Sequence, residues 1–175
     1  MAPVNLTTLS NMPVASETLL SPDKKEMRFA VSPIMSTYLV AIVVGDFDFV
    51  EGKTADGGIH VRVYAPPDQK EEGRFALGVA TRSLDFYAGY FGVQYPLPKM
   101  DLIAISDFAA GAMENWGLVT FKERALLVHP TETSAEVRQS TAHVVAHELA
   151  HQVGRLAACA AADRLTDLLL SGSGI

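Results

Sequence analysis

Two histidines four residues apart, with a glutamate directly after the first, are the residues in this 175-residue sequence best placed to do chemistry together: His147-Glu148-Leu149-Ala150-His151. On a helix, side chains at i and i+4 lie on one face a turn apart, so two imidazoles can present nitrogens to one tetrahedral zinc ion. Glu148 precedes His151 by three residues, a spacing that lets its carboxylate reach a water on the metal without ligating the metal itself. Zinc lowers the pKa of its water to about 7, and a carboxylate that takes the proton acts as general base in attack on a carbonyl. The same five-residue pattern also arises by chance on helices. His143, four residues before His147, reads as a solvated or hydrogen-bonded helix histidine, and His60 and His129 read the same way.

The element that must position this pattern is a helix. Thr133-Ser134-Ala135-Glu136 fits a capping box, and Val137, Thr141, Val144 and Val145 carry the periodicity into the histidine motif. Upstream, Leu77, Ala80, Leu84, Tyr87 and Phe91 recur at helical spacing, predicting an amphipathic helix over 71–91 that Tyr95-Pro96-Leu97-Pro98 ends. Residues 101–105 and 117–121 read as strands.

The first 65 residues read differently. Strands are predicted over 26–31, 37–49 and 60–65, where Val61, Val63 and Ala65 alternate with Arg62 and Tyr64, as in an antiparallel sheet with one buried face. The acidic segment 46–58, with Asp56-Gly57-Gly58, reads as the turn joining the last two strands. Pro66-Pro67 ends the pattern and is the expected domain boundary.

Composition bounds the function classes. Apolar residues make up 49% and charged residues 19%, a globular balance. The formal net charge of -6 and the absence of a basic stripe argue against nucleic acid as a partner. Cys159 is the single cysteine, so neither a disulfide framework nor a thiolate zinc site is expected. The apolar run 38–44 is far short of a bilayer span, and no secretory leader follows Met1, so the expectation is a soluble, cytoplasmic chain. Oligomeric state is not readable from the sequence.

A second motif precedes the histidines: Phe108-Ala109-Ala110-Gly111-Ala112-Met113-Glu114-Asn115-Trp116-Gly117-Leu118. With the histidine helix through Gln152, and with Thr37-Tyr38-Leu39-Val40-Ala41 and Tyr95-Pro96-Leu97-Pro98-Lys99, the chain resembles the zinc aminopeptidases of the aminopeptidase N and puromycin-sensitive type over about residues 8–152. The resemblance implies that Gly111, Ala112, Met113, Glu114 and Asn115 line a peptide cleft and that Glu114 pairs with the substrate's free α-amino group. A fixed carboxylate suits that task, because it recognises an ammonium by a charge-assisted hydrogen bond. The resemblance also implies one zinc ion on His147 and His151, Glu148 as base, and peptides as substrates. For the fold it implies an α+β chain: residues 1–65 as the end of an N-terminal antiparallel β domain, and residues 66–152 as the beginning of a thermolysin-like α/β catalytic domain.

Residues 153–175 depart from that family. The family's third ligand is a glutamate with eighteen residues between it and the second histidine, and that position here is Leu170. Asp167, one turn earlier, is shorter by a methylene, and the Ala-rich stretch 156–162 with Leu165, Leu168 and Leu169 has high helix propensity. Two neutral imidazoles without a carboxylate hold a dication less tightly, so the alternative expectation is an inactive fragment or pseudoenzyme that binds peptide or a partner protein.

Overall fold

Side chains alternate between two buried faces along β7 (His60–Ala65) and β8 (Lys99–Ile105), the central strands of the computed structural model, which describes residues 1–153. Val61, Val63, Met100, Leu102 and Ala104 are fully buried on one face, whereas Tyr64 and Ile103 are buried on the other together with Leu9. A sheet covered on both faces requires this pattern, with apolar residues at successive rather than alternate positions. It belongs to a five-stranded mixed sheet in the order β6-β7-β8-β10-β9, where β6 is Asp48–Lys53, β9 is Ala112–Met113 and β10 is Leu118–Lys122. The two central pairings, β7 with β8 and β8 with β10, are parallel; the two outer ones are antiparallel.

Parallel neighbours need a crossover, and between β7 and β8 it is the helix α1 (Arg74–Phe91), entered through a 3-10 segment, Pro67–Gly73. The α-helix therefore starts three residues later than the predicted 71. Gly73 is required at its start, since a Cβ there would lie 2.9 Å from the Val63 side chain. Ala76, Val79, Ala80, Leu84 and Tyr87 pack from α1 into the core, and α2 (Glu123–Leu126) and α3 (Ala135–Val153) complete that layer.

The other face is covered by an antiparallel pair, β2 (Thr7–Ser10) with β5 (Ile42–Gly45), through Leu9, Ala41, Val43 and Phe47. A separate three-stranded antiparallel sheet holds β1 (Ala2–Pro3), β4 (Lys24–Phe29) and β3 (Val14–Ser21). The chain is α+β, as expected. The strand expected over 37–49 is instead a 3-10 turn, Thr37–Leu39, then β5 and the beginning of β6. The segment expected as a turn over 46–58 contains β6, with the reversal confined to residues 54–58.

The boundary expected at Pro66-Pro67 falls within one sheet, since β6 and β7 pair into the same sheet as β8. The dipeptide ends a strand and begins a crossover. By strand pairing, the change from one layer to the next falls between β5 and β6.

Gly117 has φ +77, and a Cβ there would stand 2.4 Å from the Asn11 carbonyl oxygen, so the chain crosses itself here with room for hydrogen only. Gly92 has φ +65, and a Cβ there would meet nothing within 4 Å. Gly117→Ala should lower unfolding free energy by about 3 kcal/mol or more and Gly92→Ala by about 1 kcal/mol, as read by urea denaturation. Equal losses would show that the close approach to Asn11 adds nothing to the backbone strain.

Candidate active site

Helix α3 carries the histidine pair, and its start is set by Ser134, whose Oγ accepts from the Val137 N–H at 3.3 Å. The cap is thus one residue later than the predicted Thr133 box. Arg138 donates to the His129 and Pro130 carbonyls at 3.1 and 2.6 Å, and the His129 Nδ1 accepts from the Glu132 N–H, so His129 shapes the turn before the helix. Ala142, Val145, Ala146, Leu149 and Ala150 are buried in the core. The Tyr87 hydroxyl of α1 donates to the Ala146 carbonyl at 2.8 Å, fixing the turn that presents His147.

The Nε2 atoms of His147 and His151 are 3.1 Å apart, with the rings at 81° to one another. Two nitrogens at zinc-ligand distances with a tetrahedral angle between them are about 3.3 Å apart, so the pair fits two corners of a zinc site. His143 lies beside His147 with ring centroids 6.5 Å apart. Among the described residues no group of three His, Cys, Asp or Glu side chains is arranged to hold a metal. Leu170 and Asp167, weighed above for the third ligand, lie outside the described residues, as do the stretch 156–162 and Cys159.

Glu148 is 8% exposed, and its Oε2 is buried with no hydrogen-bond partner. Burial pushes its carboxyl up to about 7, and the nearby Glu114 carboxylate pushes the same way. A carboxylate poised near neutrality in a cleft has the proton affinity a general base needs.

Across from the helix stands the second motif. Ala112 and Met113 form β9, which pairs with Phe121 and Thr120 of β10 and is the last strand of its sheet. One edge of β9 therefore has no strand beside it among the described residues. Asn115 is buried, and its side chain accepts from the Thr120 hydroxyl at 2.9 Å and donates to the Leu39 carbonyl at 3.4 Å. Its amide braces the loop, although the sequence placed it in the cleft lining. A Cβ on Gly111 would meet nothing within 4 Å, which leaves the approach to that backbone open.

Glu114 lines a small cleft of about 40 Å³ with Tyr38, Leu39, Trp116, His151 and Gln152. The Tyr38 hydroxyl reaches the Glu114 carboxylate at 3.5 Å. The structure thus gathers Glu114, Glu148, His147 and His151 around one side of α3. Sequence reasoning missed Tyr38, Gln152 and Asn11 as contributors, although Tyr38 and Gln152 fall inside the stretches that carried the resemblance. A larger cavity of about 430 Å³, beside Thr8, Arg62 and Lys99 on the opposite face of the sheet, contains none of the candidate residues.

A family model described as the peptidase family M1 domain matches residues 75–161. The chain is 55% identical over 150 residues to Aminopeptidase M1-C of Oryza sativa subsp. japonica, a match covering 86% of this chain and 17% of that protein. Aminopeptidase M1 of Arabidopsis thaliana is 56% identical over 150 residues, again 86% of this chain and 17% of the relative. Puromycin-sensitive aminopeptidase of Caenorhabditis elegans is 51% identical over 148 residues, 84% of this chain and 16% of the relative. The chain spans about a sixth of the length of these curated relatives.

The raised pKa of Glu148 has a consequence for stability in chelator. A carboxyl at 4.5 when unfolded and about 7 when folded binds its proton more tightly in the folded state, so stability is fullest below 4.5 and falls as pH rises to about 7. Thermal unfolding of the metal-free chain should show this decline, and Glu148→Gln should flatten it and raise Tm at pH 8. An unchanged pH profile in the variant would refute the assignment.

Proposed function

The chain belongs to peptidase family M1, and on that premise we propose that its cleft binds the amino end of peptides and removes N-terminal residues as a zinc-dependent aminopeptidase. The observation that carries the reading is the 3.1 Å approach of the His147 and His151 Nε2 atoms on the helix that also buries an unpartnered Glu148 Oε2, with Glu114 lining a cleft with His151.

In this reading His147 and His151 hold the zinc ion, which when bound supplies Lewis acidity to a carbonyl and makes water a nucleophile near neutral pH. Glu148 takes the proton from the attacking water and passes it to the leaving amine; its proton affinity suits both directions. Glu114 receives the substrate ammonium, and the fixed distance from that carboxylate to the histidines limits cleavage to the first peptide bond. The edge of β9 that no strand covers among the described residues supports the reading for the peptide backbone, since an extended chain can add there as a strand. Gly111, Ala112 and Met113 would be its partners, whereas Asn115 serves by holding the loop. Division into an N-terminal β part and a catalytic part is included in the proposal, with the break between β5 and β6. So are peptide substrates and a cytoplasmic setting, the last in keeping with a lone cysteine. Among the described residues no helix is long and apolar enough to cross a membrane.

Leu170 at the position expected for a third ligand favours a second reading, in which the chain binds peptides without cleaving them. Zinc content and turnover of aminoacyl reporter amides separate the two. The first reading expects one zinc per chain, a loss in kcat of about a thousandfold in Glu148→Gln, and a fall in kcat/KM of about tenfold to a hundredfold in Glu114→Gln. Absence of both zinc and turnover in the wild-type chain would leave only the binding reading.

A further inference from the structure

Gln152 follows His151 directly and is 5% exposed. Its Nε2 donates to the Glu114 carbonyl at 3.1 Å, and its Oε1 accepts from the Gly117 N–H at 3.1 Å. One side-chain amide therefore holds both Glu114 and Gly117 of a turn that the Leu118 N–H closes on the Asn115 carbonyl at 3.1 Å. The amide is matched to this task because it alone among side chains of its size offers a donor and an acceptor side by side.

Further braces on this turn come from elsewhere in the chain. Asn11 donates to the Trp116 carbonyl at 2.8 Å, and the Lys99 ammonium donates to the Gly117 carbonyl at 2.7 Å. These hold the turn to the sheet. Gln152 holds it to the helix that bears the histidine pair.

We propose that Gln152 is a positioning residue that sets the distance between the amine-binding carboxylate of Glu114 and the paired imidazoles of His147 and His151, and so determines the preference for a free α-amino group. This rests on the aminopeptidase reading for the identity of the ligand, but not for the clamp itself. Glutamate at 152 keeps an acceptor for the Gly117 N–H and loses the donor to the Glu114 carbonyl, whereas leucine loses both.

The test uses the full chain labelled with 15N, in the presence of zinc chloride. Amide exchange is followed at Gly117, and binding is measured for leucinamide and for N-acetylleucinamide. Gly117 exchange should be slow in the wild type and in Gln152→Glu, and about tenfold faster in Gln152→Leu. Both variants should lose the preference for leucinamide by about tenfold while zinc affinity stays within about threefold. A role confined to stability would lower Tm without moving the ratio of the two ligands. Equal Gly117 exchange in the wild type and Gln152→Leu, or an unchanged preference in both variants, would overturn the proposal. If Gln152→Leu fails to fold, the ligand ratio in Gln152→Glu decides. A wild-type chain whose Gly117 amide depends on Gln152 but which shows no preference for the free amine would sink the aminopeptidase reading and leave the clamp standing.

Discussion

The ammonium of Lys99 is the interaction on which the arrangement of layers depends. It is largely buried, and it donates to the Ser10 carbonyl at 2.8 Å, to Asp101 Oδ2 at 2.7 Å and to the Gly117 carbonyl at 2.7 Å. An ammonium has three donors, and here each has an acceptor from a different segment: the covering pair β2–β5, the central strand β8 and the loop of the second motif. Burial lowers the Lys99 pKa and raises that of Asp101, while each partner opposes the shift in the other. Removing any one acceptor would strand part of a buried charge, at a cost far above that of a surface contact. The network therefore favours one relative placement of sheet, cover and loop where apolar packing alone would tolerate sliding.

The site inherits that placement through Gly117. Its carbonyl is held by Lys99 and by the Asp101 N–H, its N–H is held by Gln152, and its α-carbon lies against the Asn11 carbonyl. Asn11 in turn donates to the Leu39 and Trp116 carbonyls and accepts from the Ala41 N–H, which places Tyr38 beside Glu114. The carboxylate in the cleft is thus located by residues from three distant parts of the chain. The two histidines are related to one another by a single helix, which Tyr87 of α1 holds at the Ala146 carbonyl.

That difference explains what could be read from the sequence. His147, Glu148 and His151 are related by helical spacing, a local regularity, and their geometry follows once α3 is recognised. β7 was legible over its full length because Val61, Val63 and Ala65 alternate with Arg62 and Tyr64. β3 left no signal, since Val14, Leu19 and Leu20 are exposed and no face of the strand is buried enough to impose alternation. Pro66-Pro67 marks the end of a strand locally, whereas the pairing of β7 with β8 joins residues almost forty positions apart and leaves no mark in the sequence nearby. The bracing bonds of Asn115 went unread for a similar reason. Its role comes from Thr120 and from Leu39, and nothing in the motif itself reports a partner in another layer.

Glu148 runs against its surroundings. Other buried or largely buried polar groups of the fold are paired: Asn115 with Thr120, Gln152 with Glu114 and Gly117, Lys99 with three acceptors. Glu148 buries a carboxylate oxygen with no partner, close enough to Glu114 for their charges to repel. Among the described residues the hydroxyls of Thr8 and Ser83 are also buried without partners, but neither carries a charge. The carboxylate therefore costs the most stability of the three, and a glutamine or leucine at the same helical position would relieve it. A fold that satisfies Asn115, Gln152 and Lys99 through long-range contacts, yet leaves this carboxylate unsatisfied on the helix that bears the two imidazoles, places its unmet polar group where proton transfer is useful. The physical case for chemistry in this cleft therefore comes less from the motif than from the contrast between Glu148 and the well-paired polar residues elsewhere in the fold.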